Sequence, residues 1–406
     1  MKIKKCRSCK STKLKRTFSL GNQYLTGVFP SKINDKVSQG NLTLVICEKC
    51  ELLQLQDSFD SHEMYGSNYG YMSSLNKSMF DHLKNKAKNL IKKYNIKPGD
   101  TIIDTGSNDG TFLSFFGKNF NSIGVDPTII KFKDYYNKNI IKISDFFSYK
   151  VVKKHLKKRA KLITSIAMFY DLEDPISFVE DIYECLDDNG IWHLEQSYMP
   201  SMIKNISYDT ICHEHLEYYS LKSLKFILDK VGFKIINIEL NNVNGGSFAV
   251  TAAKKKSKLI EHEKIINWLL KKEEISSFNK FETIKEFGVK AATQKILLKD
   301  LLNNLTDMGK TVYGYGASTK GNVILQYCNI NRADLPFVCD VNPFKFNKYT
   351  PGTKIKIISE EKAKKINPDY FLVLPWHFRD FIIKKEKKYI NSGRNLIFPL
   401  PDIEII

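Results

Sequence analysis

Thr101-Ile-Ile-Asp-Thr-Gly-Ser-Asn-Asp-Gly110 joins a short apolar run to a turn of glycine and small polar residues. Residues 101–104 read as a buried strand, 105–110 as a turn and 111–120 as a helix. Ser122-Ile-Gly-Val-Asp126 reads as the next strand. Working outward, strands are expected at 161–166 and 190–195 with a helix at 177–186 between them. A helix at 221–231 follows, then strands at 233–240 and 247–253 joined by Asn241-Asn-Val-Asn-Gly-Gly246. This alternation predicts a doubly wound parallel sheet that finishes in an antiparallel hairpin.

The turn itself carries chemistry. Asp104, Gly106 and Gly110 follow a strand and open a helix, so backbone can approach a ligand and free N–H groups face it. Asp126 ends the neighbouring strand, where a carboxylate can accept from both hydroxyls of a ribose. Such turns serve nicotinamide cofactors, flavins and S-adenosylmethionine alike. Three features favour S-adenosylmethionine: an Asp-x-Gly turn in place of Gly-x-Gly, no following phosphate-binding Arg or Lys, and the closing hairpin.

Upstream, four of the eight cysteines form two pairs, Cys6-x-x-Cys9 and Cys47-x-x-Cys50. Four thiolates at this double spacing suit a closed tetrahedral zinc site, which would hold together a unit spanning 1–75 that has little core of its own. Its last part, Tyr65-Gly-Ser-Asn-Tyr-Gly-Tyr-Met-Ser-Ser74, offers Tyr65, Tyr69 and Tyr71 as a cap on a binding site or as packing for a linker, and a helix is expected at 78–94. The central unit spans 76–256.

Residues 257–306 are charged and helically periodic, as connecting helices would be. A third unit, 307–406, repeats the α/β alternation more briefly, with strands at 311–316, 337–340 and 370–374 and a helix at 319–327. Gly314-Tyr-Gly-Ala-Ser-Thr-Lys-Gly321 is its strand-to-helix turn. With Asp340 it could be a dinucleotide fingerprint, but Lys320 and the helix N-terminus could instead hold a diphosphate. Pro375-Trp-His-Phe-Arg379 lies at the same edge, where Trp376 could stack on a base and His377 lies beside it.

His213-Glu214-His215 is unusual in a chain with eight histidines. Such a run can be a metal site, an acid–base site or a packed polar turn. No third ligand stands at suitable spacing, and the run follows a sheet strand, where residues face the ligand crevice. Alternate positions on an extended loop point opposite ways, so acid–base work by one histidine and packing by the other is the expectation.

The chain has 406 residues and a formal charge of +19 carried almost entirely by Lys. With no Arg–aromatic cluster, the charge reads as solvated surface rather than nucleic-acid recognition, though it would favour an anionic small substrate. No apolar run is long enough to span a membrane, and the N-terminus does not read as a secretory signal. A cytoplasmic enzyme, monomeric or homodimeric, is expected.

In this order and spacing the motifs resemble the three-domain, zinc-containing C-methyltransferases of nucleotide-linked 4-keto-deoxysugars. The likeness runs through the four cysteines, Tyr69-Gly-Tyr-Met-Ser-Ser74, the Asp104–Gly110 turn, Gly124-Val-Asp-Pro127, His213-Glu-His-Leu216, Gly314-Tyr-Gly-Ala-Ser-Thr-Lys-Gly-Asn322 and Leu374-Pro-Trp-His377. It implies S-adenosylmethionine and structural zinc as cofactors, His215 as base, Glu214 as its partner carboxylate with His213 beside them, and Tyr71 near the sugar. The cofactor set would be Asp104, Gly106, Asn108, Asp109, Gly110, Asp126 and Phe169. The substrate set would be Cys212, Asn244, Lys320, Trp376 and His377. The chain departs from the family at Cys212, where a tyrosine is usual, and at Asp171 and Asn244, where histidines are usual. Transfer to a sugar oxygen is the nearest alternative; a nicotinamide oxidoreductase and an RNA methyltransferase are further ones.

Overall fold

The computed structural model describes residues 1–65 and 70–406, so the expectation for Tyr69 lies outside the described residues. The N-terminal strands β1 (Leu14–Tyr24), β2 (Gln39–Cys47) and β3 (Leu53–Leu55) form an antiparallel meander. Each cysteine pair is followed by a residue at positive φ, Lys10 at 58° and Glu51 at 59°. Their amides return to the carbonyls of Cys6 and Cys47 at 3.0 and 2.9 Å. These two matching curls bring the four sulfurs within 4.8 Å of one another. Tetrahedral zinc with bonds of about 2.3 Å would set sulfurs ~3.8 Å apart; Cys6–Cys50 and Cys9–Cys47 stand at 3.6 and 3.4 Å. The donor set therefore fits a closed zinc site.

The central sheet contains β4 (Thr101–Thr105), β5 (Asn121–Val125), β6 (Ile141–Ile143), β7 (Ala160–Ile166), β8 (Leu186–Ser197), β10 (Phe233–Asn241) and β11 (Ser247–Lys254), in the order β10-β11-β8-β7-β4-β5-β6. Strands β4 to β8 are parallel, and β11 and β10 close the sheet as an antiparallel hairpin, as the sequence pattern implied. All five residues of β4 are buried, with Ile102 and Ile103 at its apolar centre and Asp104 carried toward the crevice end. Strand order reverses between β4 and β7, so the carboxyl ends there open a crevice. The helix expected over 111–120 is only Thr111–Ser114. The chain turns away at Gly117, and Phe112, Phe116 and Phe120 stack edge-on beneath it.

The two-residue strand β9 (Glu217–Tyr218) leaves that sheet and pairs with β3, Leu53 opposite Tyr218. The His-Glu-His run is thus anchored on its C-terminal side by a strand of the zinc-bearing sheet. Helices Glu263–Ile275 and Phe281–Asp307 lead to the third sheet. It consists of β12 (Val312–Tyr315), β13 (Phe337–Asp340), β14 (Lys356–Ser359), β15 (Tyr370–Val373), β16 (Asn395–Phe398) and β17 (Glu404–Ile405), ordered β14-β13-β12-β15-β16-β17. All but β17 are parallel. One apolar cluster joins β1–β3, the long helix and this sheet through Leu42, Leu44, Phe287, Leu298, Val323 and Phe371. Among the described residues, no helix is long and apolar enough to cross a membrane.

Candidate active site

A cavity of about 180 Å³ opens at the carboxyl ends of β4, β5, β7 and β8. Gly106 sits at φ 69°, and a Cβ there would lie 2.8 Å from Met168, so the turn needs glycine both for its backbone and for its neighbour. Asp126 is oriented by three donors. The Asn108 amide reaches Oδ2 at 2.8 Å, and the Thr128 amide and hydroxyl reach Oδ1 at 2.7 and 2.5 Å. Oδ2 keeps lone-pair capacity toward the cavity. Asp104 accepts from Thr164 at 2.5 Å, and burial pushes its carboxyl up to about 7. Glu195, also in the wall, is clamped by His82 at 2.6 Å, Lys86 at 2.7 Å and Asn241 at 2.9 Å. Burial pushes its carboxyl up, but the His82 hydrogen bond and the Lys86 charge outweigh that and hold it at about 2.

The loop after the undescribed residues is pinned onto this turn. Asn108 donates to the Tyr71 carbonyl at 3.1 Å and accepts from the Ser73 amide at 3.1 Å, and Asp109 accepts from the Ser74 amide at 3.0 Å. Asn108 thus works on the loop as well as lining the cavity. Asp109 and Gly110 do not line it: Asp109 also accepts from the Thr111 amide at 3.2 Å, and Gly110, at φ 76°, is packed against the Tyr136 ring. The short helix therefore does not present the free Thr111 amide that the sequence pattern implied.

A second cavity, about 510 Å³, runs from this wall across the turn of the third sheet. His215 lines it. Its Nδ1 lies 2.7 Å from the Thr210 carbonyl, which can only accept, so the proton resides on Nδ1 and Nε2 carries the lone pair. The ring packs on Tyr170 at 4.2 Å. Burial, then the charge of Lys320, depress its pKa to about 3. Glu214 lines the same cavity with Oε2 lacking a partner among the described residues, and burial raises its pKa. Lys320 donates to the Asn244 carbonyl at 2.8 Å at the start of helix Thr319–Tyr327, whose N-cap Ser318 accepts from Gly321. Lys345 reaches the Ala317 carbonyl at 2.7 Å and Asp340 at 3.4 Å. His377 also lines this space and is held neutral by burial.

The two cavities differ in charge. Among the described residues, the smaller is lined by the carboxyls of Asp104, Asp126, Asp171 and Glu195, with no Lys, Arg or His. This suits a ligand with a sulfonium and an ammonium. The larger is lined by Lys77, Lys320, Lys345 and Lys385 and equally by Asp171, Glu214, Asp340 and Glu360. Lys345 pairs with Asp340 and Lys385 with Glu360, whereas Lys320 holds the Asn244 carbonyl, which leaves its charge to meet an anion. Six residues belong to both linings: Tyr65, Tyr71, Met79, Ala167, Asp171 and Asn244.

Besides Asp109 and Gly110, four more of the expected site residues lie elsewhere. Phe169 is fully buried against Phe178, Trp192 and Tyr219, and Met168 takes its place in the cavity wall. Trp376 is buried with its indole N–H donated to Asp209 at 2.8 Å, so no base can stack on it there. His213 packs edge-on to Phe59 at 4.7 Å, with Nε2 3.1 Å from the Gln23 carbonyl, and burial lowers its pKa to about 4. Cys212 is fully buried behind Glu214, away from the cavity. Sequence reasoning missed Met168, Ala167 and Glu195. Ala167 stands at φ 53°, which nothing in its identity signals.

Among solved structures, the plantazolicin methyltransferase BpumL bound to SAH aligns with 44% of this chain and 88% of its own, at 15% identity and a TM-score of 0.36. An S-adenosylmethionine-dependent methyltransferase from Clostridium acetobutylicum aligns with 43% of this chain and 92% of its own, at 10% identity and a TM-score of 0.35. By sequence, the C-methyltransferase NovU of Streptomyces niveus is 28% identical over 414 residues, covering 100% of this chain and 97% of the relative. Three family models match in succession: a zinc binding domain at 6–65, a methyltransferase domain at 77–238 and a C-methyltransferase C-terminal domain at 242–401. Taken with the thiol cluster and the acidic crevice, the sequence matches make the chain an S-adenosylmethionine-dependent methyltransferase with a zinc-binding domain, similar along its whole length to the C-methyltransferase NovU.

Proposed function

We propose that the methyl acceptor is a carbon next to a ketone in a nucleotide-linked sugar, and that His215 is the base that removes its proton. The observation that carries this reading is an acid-lined cavity that shares one wall with a larger cavity holding Lys320, with the lone pair of His215 in the larger. The cofactor, when bound, supplies an electrophilic methyl group on a cationic sulfur. Asp126 would hold its ribose, and Asp104 and Glu195 would complement its positive charges. In the larger cavity, the Gly316 turn and Lys320 would take the diphosphate, and Asp340 the ribose of the substrate.

The chemistry asked of this chain's side chains is proton transfer and charge control. His215 Nε2 accepts the proton from carbon, leaving the electron pair delocalised onto the ketone oxygen. A base whose conjugate acid is depressed to about 3 is weak. A diphosphate paired with Lys320 would cancel part of the cation that depresses it, so substrate binding would strengthen the base. Zinc, with four thiolates and no open position, has no part in these steps. The two-cavity reading is tested by thermal unfolding of the zinc-loaded protein. S-adenosylhomocysteine and a nucleoside diphosphate should each raise Tm, and together raise it further. Protection by the former and by none of UDP, TDP, GDP, ADP or CDP would overturn the nucleotide part.

A further inference from the structure

Asp171 closes the short turn Phe169–Asp171 beyond β7 and lines both cavities. Its Oδ1 is buried with no hydrogen-bond partner among the described residues. An orphaned buried oxygen at the wall shared by two ligand spaces calls for a partner that arrives with a ligand. The nearby acid Glu214 is itself buried with a free oxygen. Two buried carboxyls that feel one another do not both ionise. We propose that Asp171 is a catalytic acid that donates a hydrogen bond from its carboxyl to the substrate oxygen on which negative charge develops. This rests on the keto-sugar reading above and adds a second residue to it.

The structure supports the protonated form: burial first, and then the Glu214 charge, raise the Asp171 carboxyl well above the usual range. A neutral carboxyl is a donor, whereas a carboxylate at this wall would repel an enolate. The steps balance as follows. The C–H proton passes to His215 Nε2, and its electron pair forms the C=C bond as the carbonyl π pair moves to oxygen. Asp171 O–H···O shortens as that charge grows. The carbon then bonds the methyl group, the C–S pair leaves with sulfur, the carbonyl re-forms, and Asp171 keeps its proton. His215 releases its proton to solvent after turnover.

Two variants separate this role from a structural or basic one. Asp171→Ala removes the donor and should lower kcat about 100-fold, with Kd for S-adenosylhomocysteine and for the nucleoside diphosphate within about threefold of the parent. Asp171→Asn keeps an N–H donor of similar shape and should stay within about tenfold of the parent. In infrared difference spectra at pH 7, parent minus Asp171→Asn, a protonated-carboxyl C=O band should appear. Only carboxylate bands there, or equal losses in Asn and Ala, or parental kcat in Ala, would overturn the assignment. Parent enzyme inert on every keto-sugar nucleotide would sink the substrate reading and this role with it; an active parent with an unaffected Ala variant would sink this role alone.

Discussion

His215 should be neutral in the resting protein and should respond to Lys320, and isotope-labelled histidine makes both visible. The chain has eight histidines, few enough to follow one by one in a ¹³C-histidine spectrum. His215 and His193 are held at about 3 and His213 at about 4, each first by burial, and His377 lies well below the usual imidazole range. These four should therefore show no protonation shift from pH 8 to 5. The folded values lie below the unfolded value near 6.5. Between pH 6.5 and the folded pKa the unfolded chain binds more protons, and stability falls as pH falls, by about 1.4 kcal/mol per pH unit for each group. Lys320→Met removes the second cause of depression at His215 and at His377, while His193 and His213 do not face that lysine. A unit charge across a small cavity at an effective dielectric near 20 is worth roughly 1–3 kcal/mol, so the onset of protonation should move up by about one pH unit or more. A nucleoside diphosphate bound to the parent protein should move the same two residues the same way. A His215 that titrates near 6.5 in the parent, or is unmoved in Lys320→Met, would refute this account of the base.

Further predictions concern the supporting structure. Gly106→Ala places a Cβ 2.8 Å from Met168 at φ 69°, which should weaken S-adenosylhomocysteine binding at least about tenfold by calorimetry; an unchanged Kd would contradict the packing described. Trp376→Phe leaves the buried Asp209 carboxyl without its indole donor and should cost about 1–3 kcal/mol in denaturant unfolding while nucleotide affinity holds, whereas lost affinity with intact stability would return Trp376 to the binding site. Removing zinc, or Cys47→Ser, should lower Tm and abolish turnover, because β3 anchors the strand that follows His215. Metal-free protein with normal Tm and rate would show that the anchor is dispensable.

The parts of the fold that could be read from sequence are those where one physical cause dominates. β4 is buried throughout, so its apolar run and the turn after it declare a strand and a crevice. The cysteine pairs carry their own geometry in the Lys10 and Glu51 curls. His215 lines the cavity and His213 does not, but alternation along an extended loop is not the cause: His213 and Glu214 form a turn closed by the His215 amide on the Cys212 carbonyl at 3.2 Å. Other features depend on partners far along the chain. β9 is two residues long and exists because β3 offers an edge. β14 and β16 are four residues each, too short for a periodic signal. Phe169 and Met168 exchange roles because Ala167 takes a left-handed backbone just before them. Trp376 has the composition of a stacking platform, and Asp209, from a distant loop, turns it into a buried post.

The central claim is carbon methylation of a nucleotide-linked keto sugar with His215 as base. It is tested most directly by incubating the parent protein and His215→Gln with S-adenosylmethionine and a panel of nucleotide-linked 4-keto sugars deuterated next to the ketone, and weighing the products. The account predicts a product from the parent protein that gains a methyl group and loses one ring deuterium, with no product from His215→Gln although it still binds S-adenosylhomocysteine. A methylated product that keeps every ring deuterium, or equal turnover by His215→Gln, would contradict it.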